Sequence, residues 1–164
     1  MDASPNRARR TVLGVILAGP LGPAFGAGGG GHEGDGPDVG AQLATAQKLI
    51  DAKDWKGAIA ELQRAQRYND RNPDVHNLLG YSLRHAGRLK EALAHYERAL
   101  QLDPEHRGAH EYAGEAWLQA RQPAKAREHL AALRKLCGTD CEQYRDLAQA
   151  ISAYEQGSTT TSAR

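Results

Sequence analysis

The sequence repeats itself every thirty-four residues, and no other feature constrains its fold as strongly. Units 39–72, 73–106 and 107–140 align without a gap, and 141–156 aligns as a partial fourth. The eighth place holds Ala46, Gly80, Gly114 and Ala148, small every time. The twentieth holds Ala58, Ala92 and Ala126, and the eleventh Leu49, Leu83, Trp117 and Ile151. Leu62, Tyr96 and Leu130 share the twenty-fourth place; Ala65, Ala99 and Leu133 share the twenty-seventh. A period of this length means stacked supersecondary units, each burying its apolar face only against its neighbours.

Each unit reads as two helices. In the second, Leu79, Gly80 and Leu83 share one face at helical spacing. Ala92, Leu93, Tyr96, Ala99 and Leu100 form a second apolar face. Gly87 stands between them, where a helix end wants a residue tolerant of positive φ. Small residues at the eighth and twentieth places let two backbones approach, and a bulky one would overpack the contact. Asn72-Pro73 and Asp103-Pro104 each predict an N-cap followed by proline at the first helical position, with Gln122-Pro123 a weaker version. Aromatic residues are only 5% of the chain, with one Phe, so the core must be built on Ala and Leu.

This pattern resembles the tetratricopeptide repeat, a helix–turn–helix unit. The middle unit, PDVHNLLGYSLRHAGRLKEALAHYERALQLDP, carries the resemblance most fully. The first unit departs at Ala46, at Lys53 in place of the turn glycine, and at Asp70 where proline is usual. The third has Arg121 for the turn glycine and ends in Gly138. The resemblance implies an all-α solenoid of three repeats with a C-terminal capping helix over 141–156, followed by a disordered tail, 157–164. It also implies that the first helix of each unit lines a concave groove. The matching positions include Gln47 and Asp51, then Asn77, Tyr81, Arg84 and His85, then Glu111 and Glu115. Tyrosine and arginine are enriched at binding hot spots, so these residues are the expected partner-binding set. Some relatives grip a chaperone's C-terminal carboxylate with a basic and amide clamp. Leu43 and Gln47 stand where the first unit would supply the lysine and asparagine, which argues against that ligand.

The amino-terminal region lies outside the repeats. A basic stretch, Asn6 to Arg10, precedes the apolar run Thr11 to Gly19, which Pro20, Gly22 and Pro23 break. That order predicts a secretory signal peptide over 1–26, with Ala24 and Gly26 as the small residues before the cut. The run is too short to span a membrane. Arg9-Arg10 followed by apolar residues resembles the twin-arginine export motif, with Ala8 and Gly14 as departures; the general secretory route also fits. Removing 1–26 takes away three arginines and one aspartate, so the +1 of the whole chain becomes −1. Residues 27–38, AGGGGHEGDGPD, have almost nothing to bury and read as a flexible linker. His32, Glu33 and Asp35 within it are metal-capable types, though a solvated spacer has the same composition.

Cys137 and Cys141 are the only cysteines. On a continuous helix their Cβ atoms would be about 5–6 Å apart, too far for a bridge. Gly138 ends the preceding helix, and Thr139 with Glu142 offers a capping box for the next, so the pair flanks a turn. In an oxidising compartment this predicts a structural disulfide. A redox pair or a metal site are the competing readings.

Chemistry is otherwise sparse. The histidines at 32, 76, 85, 95, 106, 110 and 129 do not form the zinc-protease signature. His76 and His110 share the fourth place, which packs between helices in the family resembled, and His95 and His129 share the twenty-third. No nucleophile elbow, phosphate loop or dinucleotide fingerprint is present, and Ser82 and Ser152 lack an evident base. Charges nearly cancel, at 21 Lys+Arg against 20 Asp+Glu, which argues against a general nucleic-acid binder. The expectation is an exported, non-enzymatic adaptor, periplasmic or secreted, that needs no cofactor or metal. It would bind a peptide or helix of an envelope or secreted protein, and so short an array could also self-associate. A metal- or small-molecule-binding accessory protein, or a thiol redox partner, are the alternatives.

Overall fold

The computed structural model describes residues 38–162, with side chains described to Gly157. The expected signal peptide and all but the last residue of the linker lie outside the described residues. Seven helices follow one another: α1 (Val39–Asp51), α2 (Trp55–Tyr68), α3 (Pro73–His85), α4 (Leu89–Leu102), α5 (Arg107–Gln119), α6 (Pro123–Cys137) and α7 (Glu142–Ser162). They pack as three antiparallel pairs, α1/α2, α3/α4 and α5/α6, with α7 against α5 and α6. No described helix is long and apolar enough to cross a membrane.

The repeat positions build the core. Ala46, Ala58, Ala92 and Ala126 are fully buried, as are Leu62, Tyr96, Ala65, Ala99 and Leu133. Each fully buried Leu contributes about 1.5–3 kcal/mol over an exposed one. The small eighth residue is a contact requirement. A Cβ on Gly80 would come within 2.6 Å of the buried Tyr96 ring, and one on Gly114 within 2.5 Å of the Leu147 side chain. The fold thus uses the missing side chain of Gly80 to seat an aromatic ring. Burial raises the Tyr96 hydroxyl well above the ordinary tyrosine range.

The helix starts follow local chemistry, with differences from expectation. Asp38, placed in the linker by sequence, caps α1, its carboxylate accepting from Gly40 N at 2.9 Å. Asn72 caps α3, accepting from the amides of Asp74 (2.9 Å) and Val75 (3.2 Å), with Pro73 at the first position. Asp103-Pro104 does not start a helix. Asp103 instead closes α4 and accepts from Glu105 N at 2.9 Å. The cap of α5 is His106, whose imidazole Nδ1 accepts from Ala109 N at 3.1 Å. Gln122 precedes Pro123 but makes no side-chain cap bond.

Gly138, at φ 76°, ends α6, and α7 begins at Glu142 with the Cys141 carbonyl accepting from Arg145 N at 3.2 Å. The helix therefore starts two residues later than the capping box expected from Thr139 would place it. Cys137 and Cys141 flank the turn with Cα atoms 5.9 Å apart and their sulfurs in contact. α7 also differs at its far end. It runs through Ser162, where a disordered tail was expected from 157. Gly157 stays out of the left-handed conformation that would have ended the helix.

Candidate functional site

α1 and α3 present their ninth and thirteenth residues, Gln47, Asp51, Tyr81 and His85, toward one pocket. Four rings gather there. Trp55, the first residue of α2, stacks on His85 with centroids 4.6 Å apart and planes 16° off parallel. Tyr81 lies one turn before His85 on α3, 4.5 Å from its ring and 6.2 Å from Trp55. Tyr112 of α5 continues the row, 4.9 Å from Tyr81. Burial and the charges of Arg84 and Lys53 lower the pKa of His85, so the stacked imidazole is held neutral.

These rings form the wall of a pocket of about 490 Å³, completed by Gln47, Ile50, Asp51, Lys53 and Leu78. Gln47 Nε2 donates to Asp51 Oδ1 at 2.8 Å along α1. The pocket therefore has an aromatic wall, an amide–carboxylate wall and one lysine. Such a mixture of flat rings and a few fixed polar groups suits a bound side chain.

The expected groove residues divide in the structure. Gln47, Asp51, Tyr81 and His85 line the pocket together. Arg84 does not reach out for a partner. Its side chain is 7% exposed and its guanidinium pairs with Glu115 across α3 and α5 at 2.6 Å, while its carbon centre lies 5.6 Å from the Tyr81 ring. It braces the groove floor. Asn77 is buried, with its Oδ1 lacking a hydrogen-bond partner. Glu111 is also buried, and burial pushes its carboxyl up to about 7, with Glu115, Asp146 and Glu142 adding to the rise.

Sequence reasoning missed Trp55 and Tyr112. Trp55 stands at the start of a second helix and Tyr112 at a sixth place, both outside the register that marks groove positions. The one available signal was that both are aromatic in a chain with few aromatic residues.

A second cavity, about 690 Å³, lies on α4 to α6 and is lined by Leu93, Leu100, Trp117, Lys125 and His129 among others. Lys125 Nζ sits 3.8 Å above the Trp117 ring within it. The histidines pair within repeats. His76 and His95 bring their Nδ1 atoms to 3.1 Å, and His110 and His129 theirs to 3.0 Å. Among the described residues, no three His, Cys, Asp or Glu side chains group closely enough to hold a metal ion. His32, Glu33 and Asp35 lie outside the described residues.

A solenoid of helix pairs with its rings and polar groups on one face defines a repeat-scaffold class of protein. Two tetratricopeptide-repeat family profiles match, over residues 43–106 and 83–151. The chain belongs to the tetratricopeptide-repeat family. No curated protein matches it. Among solved structures it is similar to the TPR2B domain of yeast Sti1 in complex with an Hsp70 peptide, at TM-score 0.67 and 17% identity, covering 73% of this chain and 97% of that one. It is also similar to the first such domain of Spaghetti (RPAP3) bound to an HSP90 peptide, at TM-score 0.62 and 14% identity, covering 70% and 95%. The third is the type III secretion translocator chaperone SycD of Yersinia enterocolitica, at TM-score 0.65 and 16% identity, covering 81% and 100%. At these identities the likeness is one of fold.

Proposed function

We propose that this protein is an exported adaptor that binds a peptide or helix of a partner protein in the groove over α1, α3 and α5. The observation that carries the reading is the row Trp55, His85, Tyr81 and Tyr112 around an open pocket on that face. Large flat rings left on one surface of a small chain are what a binding hot spot is made of. Two similar structures, the Sti1 and Spaghetti domains, are complexes with chaperone peptides, which supports peptide binding by this architecture. The basic start, apolar run and small residues before position 27 support export to the periplasm or beyond. With that location, Cys137 and Cys141 form a structural disulfide that ties α7 to α6. No catalytic residue is assigned, and the protein acts by holding rather than by chemistry.

The test is crosslinking and purification from the native envelope fraction, with a Trp55→Ala/His85→Ala variant in parallel. Both residues are on the pocket wall, and His85 is exposed. Arg84 is unsuitable, because Arg84→Glu would set a second carboxylate against Glu115 inside the groove floor. A partner recovered with the wild type and lost with the variant is the expected result, from a fall in affinity of about tenfold or more. The same partner recovered equally with both would remove this groove from the reading.

A further inference from the structure

The cavity over α4 to α6, about 690 Å³, shares no lining residue with the aromatic pocket. α4 and α6 both pack on α5 and leave a furrow between them. Leu93, Ala94 and Leu100 line it from α4, and Trp117 from α5. Its charges are sorted along its length. Lys90 and Lys125 stand in the first turns of α4 and α6, with the Lys125 ammonium held 3.8 Å above the Trp117 ring. Glu97 and Glu128 stand further along the same two helices, exposed and without an ion pair among the described residues.

Tyr68, the last residue of α2, is the one large apolar side chain left exposed among the described residues, at 59%. A lone exposed ring is ordinary on a protein surface. The surroundings set this one apart. Arg67 and Arg71 flank it, exposed and without an ion pair among the described residues. Asp70, the acid beside them in sequence, is taken up by Gln66 at 2.9 Å and by His76 and Arg98. The end of α2 is thus an aromatic ring between two unpaired cations. The furrow is an apolar trough flanked by two unpaired carboxylates.

We propose that the occupant of the furrow is Tyr68 of a second copy of this chain, with Arg67 and Arg71 set against Glu97 and Glu128. A buried tyrosine needs a partner for its hydroxyl, and Gln101 and His129 on the furrow wall supply one. The unlike charges fix the direction in which the two copies meet. Ring and furrow are different surfaces of one molecule, so the contact is head-to-tail and each copy keeps one surface free for the next. Neither surface uses a residue of the aromatic pocket. The assembly therefore presents several grooves at once, and a partner with repeated motifs gains avidity.

Sedimentation equilibrium of the purified protein up to millimolar concentration tests this, with Tyr68→Ser and Ala94→Arg as variants. Both positions are exposed, so neither change reaches the core, and urea midpoints close to wild type check that both variants fold. Ala94→Arg fills the furrow and sets a cation against Arg67 and Arg71. Wild type is expected to self-associate with rising concentration, and each variant to do so at least about tenfold more weakly. Mixing the variants gives the sharpest outcome. Tyr68→Ser keeps an intact furrow and Ala94→Arg an intact ring, so the equimolar mixture should form one-to-one dimers that extend no further. A wild type that stays monomeric, association that survives both substitutions, or a mixture that stays monomeric would each overturn the pairing. Trp55→Ala/His85→Ala should associate as wild type does, so this pairing and the groove reading fail separately.

Discussion

At the fifteenth place of each repeat the backbone enters the left-handed region, whatever residue stands there. Gly87 has φ 78°, and Lys53 and Arg121 both have φ 58°. The turn geometry is set by the packing of the two helices, so the tertiary contact overrides the local preference. For an L-residue that conformation costs about 1–2 kcal/mol, and glycine avoids it while losing somewhat more chain entropy on folding. Arg121→Gly is therefore expected to stabilise the protein by about 0.5–1 kcal/mol. Urea unfolding measures this, and a lower midpoint would contradict it. Position 121 is the better choice, because Lys53 is also part of the pocket wall. The two departures at the turn were legible from the repeat register. Their consequence for φ was not, since one sequence does not show whether a helix simply ends elsewhere. Arg84 makes the same point. The register placed it in the groove, but its partner Glu115 belongs to the next repeat, and only the stacked structure shows the pair.

Within each of the last two repeats, a histidine pair joins the two helices. His76 Nε2 donates to the Asp70 carbonyl at 2.9 Å, and His110 Nε2 donates to the Pro104 carbonyl at 3.0 Å. Between the paired Nδ1 atoms one ring donates and the other accepts. Burial, with His110 adding to it, pushes His129 down to about 4, and burial with His76 lowers His95. The sign follows: the unfolded chain takes up these protons first, so their contribution is complete above pH 6.5. It is lost as pH falls from there toward about 4. Because His129 is only partly buried, the loss is on the order of 1 kcal/mol. Thermal unfolding of wild type and His129→Gln between pH 7 and pH 4 should converge as the pH drops. A constant gap would show that the pair carries no protonation penalty. Sequence placed these histidines at matched positions but did not join fourth to twenty-third within a repeat. That contact depends on how the α3/α4 and α5/α6 pairs close.

Across the whole solenoid, stability is a sum over neighbours, and the buried side chains fall into two groups. Leu62, Val75, Leu79, Leu83 and Tyr96 centre one on the first two helix pairs, extending to Ala113 and Ala116. Leu118, Ala126, Leu133, Leu147 and Ile151 centre the other on α5 to α7. The period in the sequence announced this arrangement, because each unit's apolar face had to find the next. The cap at α7 was legible for the same reason: the third repeat needs a cover. Where α7 stops was not, since Gly157 and the serines and threonines after it favour an ending that the backbone does not take. Leu147 is the hinge of this division. It is fully buried, and it fills the space that Gly114 leaves open. Leu147→Ala should create a cavity that the missing side chain at Gly114 cannot fill, at a cost of about 2–5 kcal/mol. In a linear array the damage stays local. Hydrogen exchange should show α6 and α7 losing protection while α2, α3 and α4 keep most of theirs. An equal loss in all helices would mean that the two groups unfold as one, and that the groove over α1 and α3 depends on the cap for its shape.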